Sequence, residues 1–355
     1  MSTKPSASIS ELIFSGGDKF LIEKNEKVIL VGPNNSGKSE SLRELLRTCS
    51  DGKTDRNLVV KGLKITKEGT VEELKGFLEE NADYVSQSYR YMSWQIHESH
   101  VNQWNRDFLQ NNLVGGFVKN IDANNRLNIC NRQNSIAPGE QKSMPQHILY
   151  DDEALMKKIS DLFRKAFGKD LMFDFRGGSQ LPIHVGDLSD LEGLVDRVGD
   201  EYVQSVRKNP LLDKQGDGMK SYAGILFEAI VSDLNITLID EPEAFLHPPK
   251  MRRLGENPFS EVGGQLVVST HSSDILSGFL EGTRGNIRIL RISRESNNNL
   301  VSEATPDVIK ELWEKPDLRY SNALEGIFHE QSIICEDDSD CRLINSIADH
   351  LASKS

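Results

Sequence analysis

The run Gly32-Pro33-Asn34-Asn35-Ser36-Gly37-Lys38-Ser39 fits G-x-x-x-x-G-K-[ST] at every fixed position, a pattern built to hold phosphate. In such a turn the backbone N–H groups face the phosphate oxygens, and the positive end of the following helix points at the same charge. Lys38 then reaches the outer two phosphates, and the Ser39 hydroxyl ligates the Mg2+ that bridges them. Gly32, Asn34, Asn35, Ser36, Gly37, Lys38 and Ser39 are therefore the expected triphosphate-binding residues, with ATP and Mg2+ as the expected cofactors.

Two further places in the chain supply the complementary chemistry. The apolar run 236–239 ends in Asp240-Glu241-Pro242. Asp240 is placed to hold the metal and its waters, and Glu241, one position on, to act as the base that polarises a water for in-line attack. The run 265–270 ends in His271, which can hydrogen-bond a terminal phosphate and the attacking water. Functional groups of α/β folds gather at such strand ends.

These groups need a sheet to bring them together. Residues 28–31, Val-Ile-Leu-Val, form an unbroken apolar run just before the glycine-rich turn, which predicts a strand covered on both faces. The helical pattern 40–47 follows the turn, so both flanks that the phosphate motif requires are present. Residues 9–14 and 20–22, separated by Ser15-Gly16-Gly17-Asp18, read as a hairpin. Further strands are expected at 57–65, 287–292 and 332–335. Thr70-Val71-Glu72-Glu73 reads as a capping box, and apolar positions 155, 159, 162, 163 and 166 as a helix that Gly168 ends. The aromatic residues of 84–104 are expected to pack rather than to stack on bases.

With 355 residues, 37% hydrophobic and 27% charged, the chain can bury a substantial core. No stretch is long and apolar enough for a membrane span, and the opening residues lack a signal-peptide core. The expectation is a cytoplasmic protein with no membrane partner. A net charge of −12 gives no help to phosphate-neutralising nucleic-acid binding. The four cysteines include no C-x-x-C pair and are expected to be reduced thiols.

Taken together, these motifs resemble the ABC-type ATPases of the chromosome-maintenance and recombination kind, and among them the OLD (overcoming lysogenisation defect) nucleases. The likeness covers roughly residues 9 to 48 and 205 to 340, including Glu243-Ala244-Phe245-Leu246-His247-Pro248. It implies an α/β fold, an ABC-type P-loop ATPase with a mixed sheet flanked by helices and a helical/strand insertion. The implied division is 1–50 and 205–325 as the two lobes of the ATPase core, 51–204 as an insertion and lid region, and 326–355 as the incomplete beginning of a Toprim-like domain. The resemblance also implies a homodimer or higher homo-oligomer in which a signature loop of one subunit caps the nucleotide of another. Here 216–221 is that loop, opening a helix at 222–231, with Gly218 as the contact and Gly216 where a serine is typical. His247 stands where transporter-type ATPases tend to carry aspartate, which disfavours a transporter subunit. The family's Q-loop glutamine is assigned to no residue.

At the end of the chain, Cys335-Glu336-Asp337-Asp338-Ser339-Asp340 resembles the opening of a Toprim nuclease site, with Glu336 and Asp340 as metal ligands and Asp337 where the family has glycine. The acids that such a site draws from a later strand are missing, so this chain alone is not expected to cut DNA. Two functions follow. The first is the ATPase module of an OLD-like nuclease, with DNA as the partner and ATP-driven dimer closure controlling an attached Toprim domain. The second is a stand-alone ABC-type ATPase switch of the antiphage-defence type, working with a separate effector protein.

Overall fold

The computed structural model describes residues 3–137, 140–187, 196–295, 298–315, 322–333 and 335–352. The chain opens with a hairpin of β1 (Ser6–Phe14) and β2 (Lys19–Leu21), followed by β3 (Lys27–Val31) and, after the glycine-rich turn, the helix Lys38–Asp51. Next, β4 (Val60–Glu68) returns to pair antiparallel with β1. The helix Val71–Asn81 begins in the expected capping box, with Thr70 and Glu73 bonded reciprocally. A three-stranded meander follows, β5 (Asp83–Val85), β6 (Ser88–Tyr91) and β7 (Trp94–His97), and then β8 (Val118–Ile121).

A second group of short strands is β9 (Gln133–Asn134), β10 (Asp170–Phe173), β11 (Gln180–Leu181) and β12 (Ile183–Gly186). Before β10 runs the helix Glu153–Phe167, ended by Gly168 in the left-handed conformation as its sequence predicts. The remaining strands are β13 (Ile236–Asp240), β14 (Gln265–Ser269), β15 (Arg288–Glu295) and β16 (Asn298–Glu303). Among the described residues, no helix is long and apolar enough to cross a membrane.

The central sheet has the order β16-β15-β3-β14-β13-β8. Every neighbouring pair is parallel except β15 with β16. Successive side chains of a strand point to opposite faces, and the apolar runs use both. Val28, Leu30, Leu238 and Val267 face a core shared with the Lys38–Asp51 helix and the antiparallel β1, β4 layer. Ile29, Val31, Ile239 and Val268 face a second core formed with the helices Glu153–Phe167, Asp217–Leu226 and Ser273–Gly282. This is an α/β architecture, a mixed sheet flanked by helices.

Sequence and structure differ in several places. The boundary at residue 51 does not follow the sheets: β4 belongs with β1, and β8 is the edge strand of the central sheet beside β13. The strand expected from residue 57 begins at Val60, because buried Asn57 turns the chain, its amide donating to Thr48 Oγ1 and Val60 O. No strand forms at 331–333 or 335, while residue 334 lies outside the described residues. An apolar run becomes a strand only where a neighbour completes its hydrogen bonds, and none of the described strands pairs there.

The phosphate-loop helix is fastened to the segment before β4 by one buried carboxylate. Glu44 accepts the N–H groups of Leu58, Val59 and Val60. Its replacement strands three donors, so Glu44→Leu is expected to lower stability by about 3 kcal/mol in urea unfolding. A loss below about 1 kcal/mol would contradict this role.

Candidate functional site

The parallel register fixes which residues meet. Asp240, Ser269 and Leu30 are partners across β13, β14 and β3. At strand spacings near 4.8 Å, Asp240 therefore sits about 10 Å across the sheet from the strand that feeds the glycine-rich turn. All of these strands end at the same edge, and there Asn34, Ser36, Lys38, Ser39, Glu241 and His271 line one cleft of about 920 Å³.

The turn is held in shape before any ligand contact is considered. Gly32 has φ 139°, and a Cβ there would lie 2.1 Å from Ile292 O; Gly37, at φ 100°, packs against Val59 and Asn299. Neither position admits another residue without displacing backbone or neighbours. Lys38 is buried, and its Nζ donates to Gly32 O and Pro33 O at 2.8 Å each. Burial lowers its pKa, while the negative charges of Glu243, Glu241 and Asp240 oppose that shift. The ammonium is therefore poised between the turn and the acids, where a phosphate would complete its shell.

Across the sheet, Asp240 accepts a hydrogen bond from Ser269 Oγ. Glu241 occupies left-handed backbone, φ 45°, with its N–H bonded to Ser269 O at 3.0 Å. Such backbone costs a non-glycine residue about 1–3 kcal/mol and clusters at functional sites. The Glu241 carboxylate is half exposed, and His271 Nδ1 lies 3.8 Å from it and 3.2 Å from Glu243. Ser39 and Asp240 offer a hydroxyl and a carboxylate, the hard oxygen set that suits Mg2+ beside phosphate.

Gly218 does not line this cleft. The helix that carries it starts at Asp217, earlier than the expected 222, so the presumed loop is largely its first turn. Gly216 is the N-cap, and the aspartate behind it favours a helix start. Ser221 is buried, its hydroxyl donating to Ala244 O at 3.2 Å. A Cβ on Gly218 would meet Phe245 O at 2.8 Å, so the glycine permits close packing of helix and loop.

Glu336 and Asp340 also stand apart from the cleft. Asp337 Oδ1 accepts the N–H groups of Ser339 and Asp340, capping the helix Asp338–Ala352. Among the described residues, no group of three or more His, Cys, Asp or Glu side chains could hold a metal ion.

Three residues to which the sequence patterns gave no role complete the site. Buried Glu243 accepts Thr270 Oγ1 and the His271 N–H at 2.9 Å each, fixing the histidine turn. Burial raises its pKa, and the His271 N–H is chief among the groups that oppose the rise. Asn299 of β16 donates from Nδ2 to Ser36 O, bracing the phosphate loop from the far side. Arg126, fully buried in the helix Ala123–Asn128 after β8, donates to Asp240 O at 3.1 Å and to Glu241 O at 2.8 Å. A Glu-Pro-Glu spacing hints at Glu243; nothing local marks the other two.

Residues 151–277 match the family described as AAA domain, putative AbiEii toxin, Type IV TA system. No curated protein sequence matches. Among solved structures, the chain is similar to an Smc head bound to the C-winged helix domain of ScpA, at 13% identity and TM-score 0.49, covering 84% of this chain and 97% of that one. A Pyrococcus furiosus Smc head bound to the C-terminal domain of ScpA gives 11% identity and TM-score 0.46, covering 87% and 99%. An ATP-binding cassette of an ABC transporter in its ADP conformation gives 13% and 0.37, covering 89% and 97%.

The Glu243 bonds make a direct test of how the histidine turn is held. Glu243→Ala leaves the buried Thr270 hydroxyl and the His271 N–H without an acceptor, and is expected to cost about 2–4 kcal/mol in urea unfolding. Glu243→Gln, which keeps one acceptor oxygen, should lose clearly less. Equal losses would show that the carboxylate is not the anchor.

Proposed function

We propose that this chain binds ATP with Mg2+ and hydrolyses it, closing as a homodimer about the nucleotide. The observation that carries this reading is that Lys38, Ser39, Glu241 and His271, far apart in sequence, line a single cleft. The P-loop amides and Lys38 bind the phosphates. Ser39 and Asp240 would hold Mg2+, which supplies charge neutralisation at the phosphate oxygens when bound. Glu241 takes the proton of the attacking water, and His271, oriented through Glu243, donates toward the terminal phosphate. Gly218 lies in the first turn of its helix, where backbone N–H groups are unbonded within the helix. Since it does not line its own subunit's cleft, its use toward the nucleotide of a second subunit fits the dimer.

Of the two cellular roles, the stand-alone switch acting with a separate effector is better supported. The family matched over residues 151–277 is described as an AAA domain, putative AbiEii toxin, Type IV TA system, words that name no nuclease, and Asp337 uses its carboxylate as a helix cap. The OLD-like reading keeps as its support the pair Glu336 and Asp340, four positions apart at the start of an exposed helix. Incubation with supercoiled DNA, ATP and Mg2+ separates the two. Nicking that Glu336→Ala abolishes would favour the nuclease; intact DNA together with a co-purifying effector would favour the switch.

Glu241→Gln is expected to bind ATP like the parent, to hydrolyse it about 100-fold or more slowly, and to accumulate as an ATP-dependent dimer in light scattering. Lys38→Ala is expected to weaken ATP binding about 10- to 100-fold by calorimetry, the worth of one charged hydrogen bond. Parental hydrolysis by Glu241→Gln would remove Glu241 from the role of base.

A further inference from the structure

Arg126 is among the largest fully buried side chains of the protein. Its guanidinium donates to three backbone carbonyls, of Asp240 at 3.1 Å, Glu241 at 2.8 Å and Ala244 at 3.4 Å. Nε has no hydrogen-bond partner among the described residues. Burial disfavours the charged form, and the carboxylates of Glu243, Asp240, Asp122 and Glu241 offset that. A buried cation is a poor device for stability alone, because an apolar side chain of similar volume is often as good or better. Its location suggests what it does instead.

The three carbonyls belong to the turn that aims Glu241. Fixing the Asp240 and Glu241 carbonyls fixes the peptide planes on both sides of the left-handed Glu241, whose N–H is bonded to Ser269 O. The same turn touches the helix Asp217–Leu226, since Ser221 Oγ donates to Ala244 O. That helix also lies against the backbone of Arg126 itself: a Cβ on Gly224 would fall 1.9 Å from Arg126 O. Cys130, one turn after Arg126, donates its thiol to Lys220 O at 3.1 Å.

We infer that Arg126 is a positioning residue that holds Glu241 in its catalytic direction and couples it to the helix bearing Gly218. A shift of that helix at a subunit contact would move the arginine backbone and the Ala244 carbonyl together, and with them the base. The inference rests on the ATPase reading for its function, and on the three carbonyl bonds for its structure.

Arg126→Met and Arg126→Lys test it. With ATP binding measured by calorimetry and turnover by phosphate release, Arg126→Met is expected to leave Kd within about twofold and to lower kcat about 100-fold, the scale of a misplaced catalytic group. Arg126→Lys restores charge but not the planar fork, and should recover only part of the loss. A folded Arg126→Met that turns over at the parental kcat overturns the inference while leaving the ATPase reading intact. If the parent binds but does not hydrolyse ATP, that reading fails, and hydrogen exchange judges Arg126 by itself. The Glu241, Ala244 and Leu246 amides should then exchange at least about tenfold faster in Arg126→Lys, and unchanged exchange overturns it. If neither variant folds, the parent decides. These three amides should be protected like β13, and exchange as fast as the exposed Glu153 and Ala154 amides overturns the clamp.

Discussion

The parallel hydrogen bonding of β14 between β3 and β13 is the constraint on which the site depends. It places the phosphate turn, the acidic pair and the histidine at one edge of a sheet, although the first lies some two hundred residues from the others. A slip of one residue in either pairing would turn every side chain of the displaced strand to the opposite face. Val28 and Leu30 would then exchange cores with Ile29 and Val31, and Asp240 would no longer align with Ser269. Because both faces are buried, the register that packs the cores is the one that assembles the cleft.

Around that edge the structure concentrates buried and half-buried charge. Lys38 and Arg126 are cations held mainly by backbone carbonyls, while Asp240, Glu241 and Glu243 are acids within their electrostatic reach. Neither cation is committed to a tight ion pair with the acids. The arrangement leaves Lys38 able to turn toward a phosphate and Glu241 able to accept a proton, while Glu243 and Arg126 keep the turn between them rigid. Preorganised charge of this kind is worth most where water is excluded, which the proposed closing of a second subunit over the half-exposed Glu241 and His271 would accomplish.

How much of this was legible in the sequence depends on how local each signal is. The phosphate turn, residues 28–31, the acidic strand and the histidine strand are each written in consecutive residues, and all fold as read. So do the Thr70 capping box and the helix closed by Gly168. β8 was missed as a strand of the central sheet because Val118-Lys119-Asn120-Ile121 has polar residues at its centre and no apolar run. The start of the helix at Asp217 was hidden by glycines on both sides of the aspartate, which read as a turn. Arg126 and Asn299 act through carbonyls distant in sequence, Arg126 at Asp240 and Glu241 and Asn299 at Ser36, and no spacing rule reaches that far. The apolar run expected as a strand at 332–335 forms none at 332–333 or 335 for the same reason, since sequence alone does not say whether an unpaired strand edge is at hand.

The most direct test of the account is a crystal structure of Glu241→Gln with ATP and Mg2+. The account predicts the terminal phosphate between the P-loop amides, Lys38 and residue 241, with Mg2+ on Ser39 and Asp240. Nucleotide bound elsewhere, or phosphates on the P-loop with residue 241 turned away from them, would contradict it.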